Sequence, residues 1–261
     1  MIKYDNTIPA RLDPSPAQDA GHYQDLPVYI GPDTLEVLDG QKLSKVYTLG
    51  PDAGSGQVQE LPFSNIVVGG DARLDIVVVV LPGISADVRI AVDIVGPHSE
   101  VNISGLYLCN ADERLSIRTD LRHRVPECIS TQLFNGVAGG SSRISFFGKI
   151  VVAPDAQKTE AFQTSRNIVL GDSARIETKP RLEIYADDVQ CSHGATVGRL
   201  NEEEQYYMRT RGIPEEEARI LQMISFVAPV LAALPEYDET GRPCREQVTA
   251  TVEAAVRAMA K

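Results

Sequence analysis

A mainly β chain that ends in helices is the fold class the sequence predicts, and three patterns predict it. Apolar residues alternate with polar or small ones over many short runs, as in strands with one buried face. The runs begin near residues 74, 88, 101, 115, 129 and 144, an even interval of about 14 residues. Beyond residue 199 the apolar spacing changes to three and four, the beat of amphipathic helices. An even succession of short strands suits a sandwich, a barrel or a β-solenoid. Two strands per coil would repeat about every 28 residues, within the range of stacked solenoid units, which places the solenoid ahead of the other two.

Residues 1–40 read as an extended lead-in, because Pro9, Pro14, Pro16, Pro27 and Pro32 would interrupt any helix there. The β-rich body covers 41–199. Within it Val88, Ile90, Val92 and Ile94 alternate with small or polar residues, and the beat recurs at Val101 to Tyr107, Leu115 to Leu121, Ile129 to Leu133 and Ile144 to Val152. Residues 200–261 form the helical region. Asn201 and Glu204 are spaced as a capping box, and Gly212 is placed to end that first helix in the left-handed conformation. Pro214 and Glu215 to Glu217 open a second helix, with acidic residues at its positive end. Its apolar stripe is Leu221, Ile224, Val227, Val230, Leu231 and Leu234, with Pro229 expected to kink it. A last helix, 245–260, carries Val248, Val252, Val256 and Met259.

Several functions are disfavoured at once. A net charge of −11 with no cluster of Lys or Arg argues against a nucleic-acid partner. No apolar run approaches a membrane span, and the N-terminus has no cationic segment leading into an apolar one, so neither a membrane nor a secretory route is expected. Four dispersed cysteines, Cys109, Cys128, Cys191 and Cys244, without a CxxC pair suit a reducing cytosol. The glycine-rich stretches 50–56 and 136–140 lack the Lys-Ser/Thr pair of a phosphate loop and read as corner turns. His22, His98 and His123 read as surface histidines.

Two constellations carry chemistry. Asp187 and Asp188 could serve a polysaccharide lyase or hydrolase built on an extracellular β-solenoid, the alternative reading of the chain. Adjacent strand residues face opposite sides, however, and a chain without Trp is short of stacking surface for sugars. Cys191 and His193 are spaced to share one face of an extended strand about 7 Å apart, where a thiol and an imidazole could share iron or handle sulfur. The competing reading is a buried Cys beside a hydrogen-bonded His in the core.

The block Leu182-Glu183-Ile184-Tyr185-Ala186-Asp187-Asp188-Val189-Gln190-Cys191-Ser192-His193-Gly194-Ala195-Thr196-Val197-Gly198, continuing through Tyr206-Tyr207-Met208-Arg209-Thr210-Arg211-Gly212-Ile213-Pro214, resembles the signature of the SufB/SufD family of iron–sulfur assembly scaffolds. Asn167 to Gly171 and Glu177 to Pro180 resemble it too. The resemblance implies a right-handed parallel β-helix with a C-terminal α-helical tail, and a cytoplasmic, non-enzymatic scaffold. It implies two partners: an ABC-type ATPase of the SufC kind docked on the helical tail, and a second copy of the chain or a SufB-like subunit on the β-helix. No firmly bound cofactor is implied, only a transient iron–sulfur cluster or iron. His193 matches the family's functional histidine, and Cys191 the neighbouring SufD-type cysteine. Ser165 stands where SufB-type members carry a sulfur-accepting cysteine, and Gly194 where they carry a carboxylate, so the site is SufD-like. On the tail, Leu221, Ile224, Val227, Val230 and Leu231 are the expected ATPase-docking residues.

Overall fold

A computed structural model describes residues 33–51, 61–62, 65–238 and 240–260. Residues 1–32 of the predicted lead-in, with His22, and 52–56 of the first glycine-rich stretch lie outside the described residues. Twelve strands run in order: β1 (Thr34–Val37), β2 (Lys42–Leu49), β3 (Asn65–Val68), β4 (Arg73–Val80), β5 (Ala86–Ile94), β6 (Glu100–Cys109), β7 (Arg114–His123), β8 (Ile129–Ala138), β9 (Arg143–Val152), β10 (Glu160–Val169), β11 (Arg175–Ile184) and β12 (Gln190–Gly198). Three helices follow: α1 (Glu202–Thr210), α2 (Glu215–Leu231) and α3 (Cys244–Met259). β1 falls inside the region the sequence assigned to the lead-in.

Odd-numbered strands form one six-stranded parallel sheet and even-numbered strands another, each strand pairing with the one two places on. This is a β-solenoid. The chain returns over itself after 27 residues between Arg73 and Glu100 and after 31 between Gln132 and Gln163. Inward side chains therefore stack in columns, one residue per coil. Large and small residues are matched across neighbouring rungs: Phe134 lies over Gly105, where a Cβ would approach its ring to 2.2 Å, and Phe134 packs on Phe146 with ring centroids 4.9 Å apart. Gly136, read from sequence as part of a turn, instead lies within β8. A Cβ there would sit 1.8 Å from the Tyr107 ring, whose hydroxyl donates to Asn167 Oδ1 at 2.5 Å. Gly136→Ala should therefore lower stability by about 1–3 kcal/mol through overpacking. A urea titration checks this: an unchanged midpoint would show that the ring can move aside.

His123 is not a surface residue. The alternation that buries Leu121 carries His123 inward as well, where its Nε2 lies 2.8 Å from Ser130 Oγ. Burial lowers its pKa to about 4, so it is neutral at pH 7.

The even-numbered sheet is buried on both faces along part of its length. Val77, Val79, Leu106, Leu108 and Val137 point away from the interior, and α2 and α3 cover them with Met223, Val227, Val230, Val252 and Val256. This explains why alternation gives way to the continuous run Ile76 to Val80, as expected of a strand covered on both faces. Asn135 Nδ2 donates to the Phe226 carbonyl at 2.7 Å, fixing α2 to β8 just before Pro229. At α1 the Asn201 side chain caps Glu203 and Glu204 N–H groups as predicted, and Gly212 has φ +87°. Glu204 accepts instead from Gln222 Nε2 of α2, at 2.8 Å.

Candidate functional site

The interior of the solenoid changes character toward its C-terminal end. One column of the even-numbered sheet reads Ile76, Ile103, Gln132, Gln163, His193. Its neighbour reads Leu74, Val101, Ser130, Ala161, Cys191. Past Lys45, which precedes Ile76 in the first, both pass through aliphatic residues and finish in groups able to bind metal or sulfur. Their last members are two residues apart on the inward face of β12, so the strand geometry places Cys191 and His193 side by side at the mouth of the solenoid.

That mouth is open among the described residues. Ile184 continues the buried column of His123 and Val152 yet is 41% exposed, and Val197 continues that of Gly136 and Asn167 yet is 47% exposed. β12 pairs with β10 on one side and with no further described strand on the other. Gln190 N–H donates to the Thr159 carbonyl, toward the coil below. Alternation then turns the N–H and C=O groups of Cys191, His193, Ala195 and Val197 to the free edge. An exposed edge flanked by apolar side chains is a surface that invites pairing.

Cys191 is half-buried against the core, and His193 is exposed. Burial pushes the Cys191 thiol up, with partial relief from a backbone hydrogen bond at Ala161. Alkylation of Cys191 should thus be slow at neutral pH and keep accelerating past pH 9, the ordinary thiol value. Iodoacetamide rates compared with a Cys191→Ser chain check it, and a plateau below pH 9 would contradict it. Cys109, Cys128 and Cys244 are buried, and desolvation takes the Cys109 thiol up to about 12. Among the described residues no three His, Cys, Asp or Glu converge as a metal site. The mouth thus holds one thiol and one imidazole from this chain, fewer groups than a tetrahedral centre takes.

Ser165 is fully buried one rung below Ala195, 3.1 Å from Asn167 Nδ2. Gly194 has open space where a side chain would project. Asp187 and Asp188 form an exposed bend between β11 and β12, where the Asp188 N–H donates to Gln157 Oε1 at 2.9 Å. They serve a corner, and the polysaccharide-enzyme alternative finds no support.

The docking residues expected on α2 divide. Val227, Val230 and Leu231 are buried against the chain's own sheet, so a partner cannot reach them while the tail is packed. The stripe that marks an apolar face does not say which surface covers it. Leu221 is 41% exposed and Ile224 half-buried. Leu221, one of the expected residues, does face outward, and the α1 residues beside it were not singled out for docking. A groove between α1 and α2 is lined by Asn201, Glu204, Tyr207, Met208, Leu221 and Gln222, with Tyr206 exposed nearby. Two adjacent tyrosines on a short helix that buries none of its residues were the available signal. No helix among the described residues is long and apolar enough to cross a membrane.

Comparison with known proteins accords with this geometry. The family described as SUF system FeS cluster assembly, SufBD core domain, matches residues 42–226. The chain is 41% identical over 139 residues to the iron–sulfur cluster assembly protein SufD of Escherichia coli, covering 53% of this chain and 33% of that protein. It is 32% identical over 196 residues to a SufBD family protein of Mycobacterium bovis, covering 71% of this chain and 48% of the relative. It is 39% identical over 115 residues to SufD of Bacillus subtilis, covering 44% and 24%. The matched region is thus less than half the length of these relatives.

Proposed function

The chain belongs to the SufBD family of iron–sulfur cluster assembly proteins, and from that premise we propose that it is a non-catalytic, cytosolic scaffold subunit of a Suf-type assembly complex. The observation that carries the reading is the open last coil, which sets Cys191 and His193 beside an unpaired strand edge and exposed Ile184 and Val197. In this reading a second subunit, another copy of the chain or a SufB-like relative, pairs with that edge. Ligands from both subunits then surround iron and sulfide, which are cargo and not a resident cofactor. The groove between α1 and α2, with Leu221 and Tyr207 on its walls, receives an ABC-type ATPase of the SufC kind.

On this account a ring nitrogen of His193 offers a lone pair to iron, and Cys191 supplies a thiolate once a bound metal ion offsets the burial that favours its thiol. His193→Ala should abolish iron and sulfide retention after anaerobic reconstitution while leaving the melting temperature within a few degrees of the parent. Optical spectra of the reconstituted complex read the first, and calorimetry the second. Full retention in the variant would remove His193 from the site. A stability loss of several kcal/mol would mark it as a core histidine.

A further inference from the structure

Gln163 sits directly beneath His193 in the column, one strand spacing of about 4.8 Å away. It is 1% exposed, and its Oε1 accepts no hydrogen bond. A buried amide oxygen left unpaired costs on the order of 1–3 kcal/mol. Shape does not demand glutamine here, since the same column holds Ile76 and Ile103 on earlier coils. The amide is also held in place. A Cβ on Gly148, facing it from β9, would lie 2.3 Å from Nε2 and 2.7 Å from Cδ and Oε1, so the absence of a side chain at 148 makes the amide's room. Its Nε2 donates downward to Gln132 Oε1 at 3.2 Å. In a planar amide the oxygen occupies the branch that Nε2 does not, and with Nε2 committed to the coil below, Oε1 is left without a partner under the rung that holds His193.

We propose that Gln163 is the positioning residue for His193: its Oε1 accepts one imidazole N–H and so leaves the other ring nitrogen as a lone pair at the solenoid mouth beside Cys191. A neutral imidazole has one donor and one acceptor nitrogen, and whichever is tied down decides what the other presents. Histidines that bind metal are commonly oriented by such a carbonyl acceptor on the remote nitrogen. A rotation of the exposed His193 ring onto the rung below makes the bond; Gln132 Nε2 is also without a partner, so the alternative is a Gln132 Nε2 to Gln163 Oε1 bond, and a His193 without a protected N–H is its signature. The inference rests on His193 being the working group of the site, and its test is independent of cluster assembly.

The test uses the full chain, free of iron and labelled with ¹⁵N-histidine, with His193 signals assigned by their loss in His193→Gln. Two-bond ¹H–¹⁵N spectra should show one tautomer and a slowly exchanging imidazole N–H for His193. Gln163→Leu and Gln163→Met, which keep bulk but lack the acceptor, should both lose that N–H and mix the tautomers, while Gln163→Glu, which keeps an acceptor, should retain it. Ferrous iron titrated into the same chains should bind about 10- to 100-fold more weakly to the Leu and Met variants. Circular dichroism and melting curves select variants that remain folded, and the two apolar replacements guard against one of them unfolding. An unchanged His193 N–H and tautomer in a folded Leu or Met variant overturns the proposal. So does a parent chain whose His193 shows no protected N–H. If the tautomer responds as expected but the parent binds no iron, the positioning role stands and the assembly reading fails.

Discussion

Val227→Glu should destabilise the chain by about 4 kcal/mol or more and strip the helical tail from the sheet, whereas Leu221→Glu should leave stability within about 0.5 kcal/mol. The two residues lie on one helix and were equivalent in the sequence. Val227 is fully buried among Val77, Leu106 and Val137, so a carboxylate there loses its water and gains no cation. Leu221 is 41% exposed on the wall of the α1–α2 groove, where a carboxylate stays hydrated. The functional readouts should invert. Leu221→Glu should weaken ATPase binding by 2 kcal/mol or more, on the order of an interface hot spot, because docking would desolvate the new charge. Urea melts and a pull-down with the ATPase separate the two effects. A Leu221→Glu chain that binds the ATPase normally would move docking away from the groove.

On the assembly edge proposed above, Ala195→Pro should give a folded monomer where the parent chain pairs. Ala195 is on the edge strand, and alternation from the Gln190–Thr159 bond turns its N–H to the free edge. Proline there deletes no bond of the β10–β12 ladder, and edge strands tolerate it for that reason. The same ring removes a donor from an incoming strand and obstructs its approach. Light scattering should give twice the 28.4 kDa chain mass for the parent and one chain mass for the variant. If the natural partner is a SufB-like chain, the parent should pair with that chain and the variant should not. A variant that still pairs would place the interface off the β12 edge.

Six strands, β4 to β9, were legible, but not for one reason: in β5, β6, β7 and β9 the inward residues are mostly apolar and set a period of two, whereas β4 showed as a continuous apolar run covered on both faces. In β8 the start was found but the face was not, because the beat Ile129, Thr131, Leu133 points outward while Ser130 and Gln132 point in. The six predicted starts fall within two residues of those found, Ala86 showing the largest difference. β10 was faint for a physical reason. Its inward residues include Gln163, Ser165 and Asn167, so the pleat alternates while the polarity does not. β1 and β3 have four residues each, too few to establish a period. The end of the solenoid that carries the candidate site was therefore visible through family resemblance and not through periodicity. His123 was misread because flanking arginines suggest a surface, although in a strand they occupy the opposite face. The α2 stripe was read correctly as apolar, but a helix pattern cannot tell a sheet of its own chain from a partner. Cys191 and His193 were placed on one face as the structure has them. The Gln132–Gln163 column beneath them joins residues 31 apart, a relation that only the coil register reveals.

Amide hydrogen exchange along β12 tests most directly whether the last coil is an assembly surface. The N–H groups of Cys191, His193, Ala195 and Val197 have no partner strand within the described chain, whereas those of Ser192, Gly194 and Thr196 face β10. If a second subunit pairs with the edge, the first set exchanges slowly at concentrations on the order of tens of micromolar, as slowly as the second, and becomes fast on dilution or in Ala195→Pro. The same protection should appear on adding a SufB-like partner if that is the natural one. Rapid exchange of the edge amides at every concentration, with or without that partner, would contradict it.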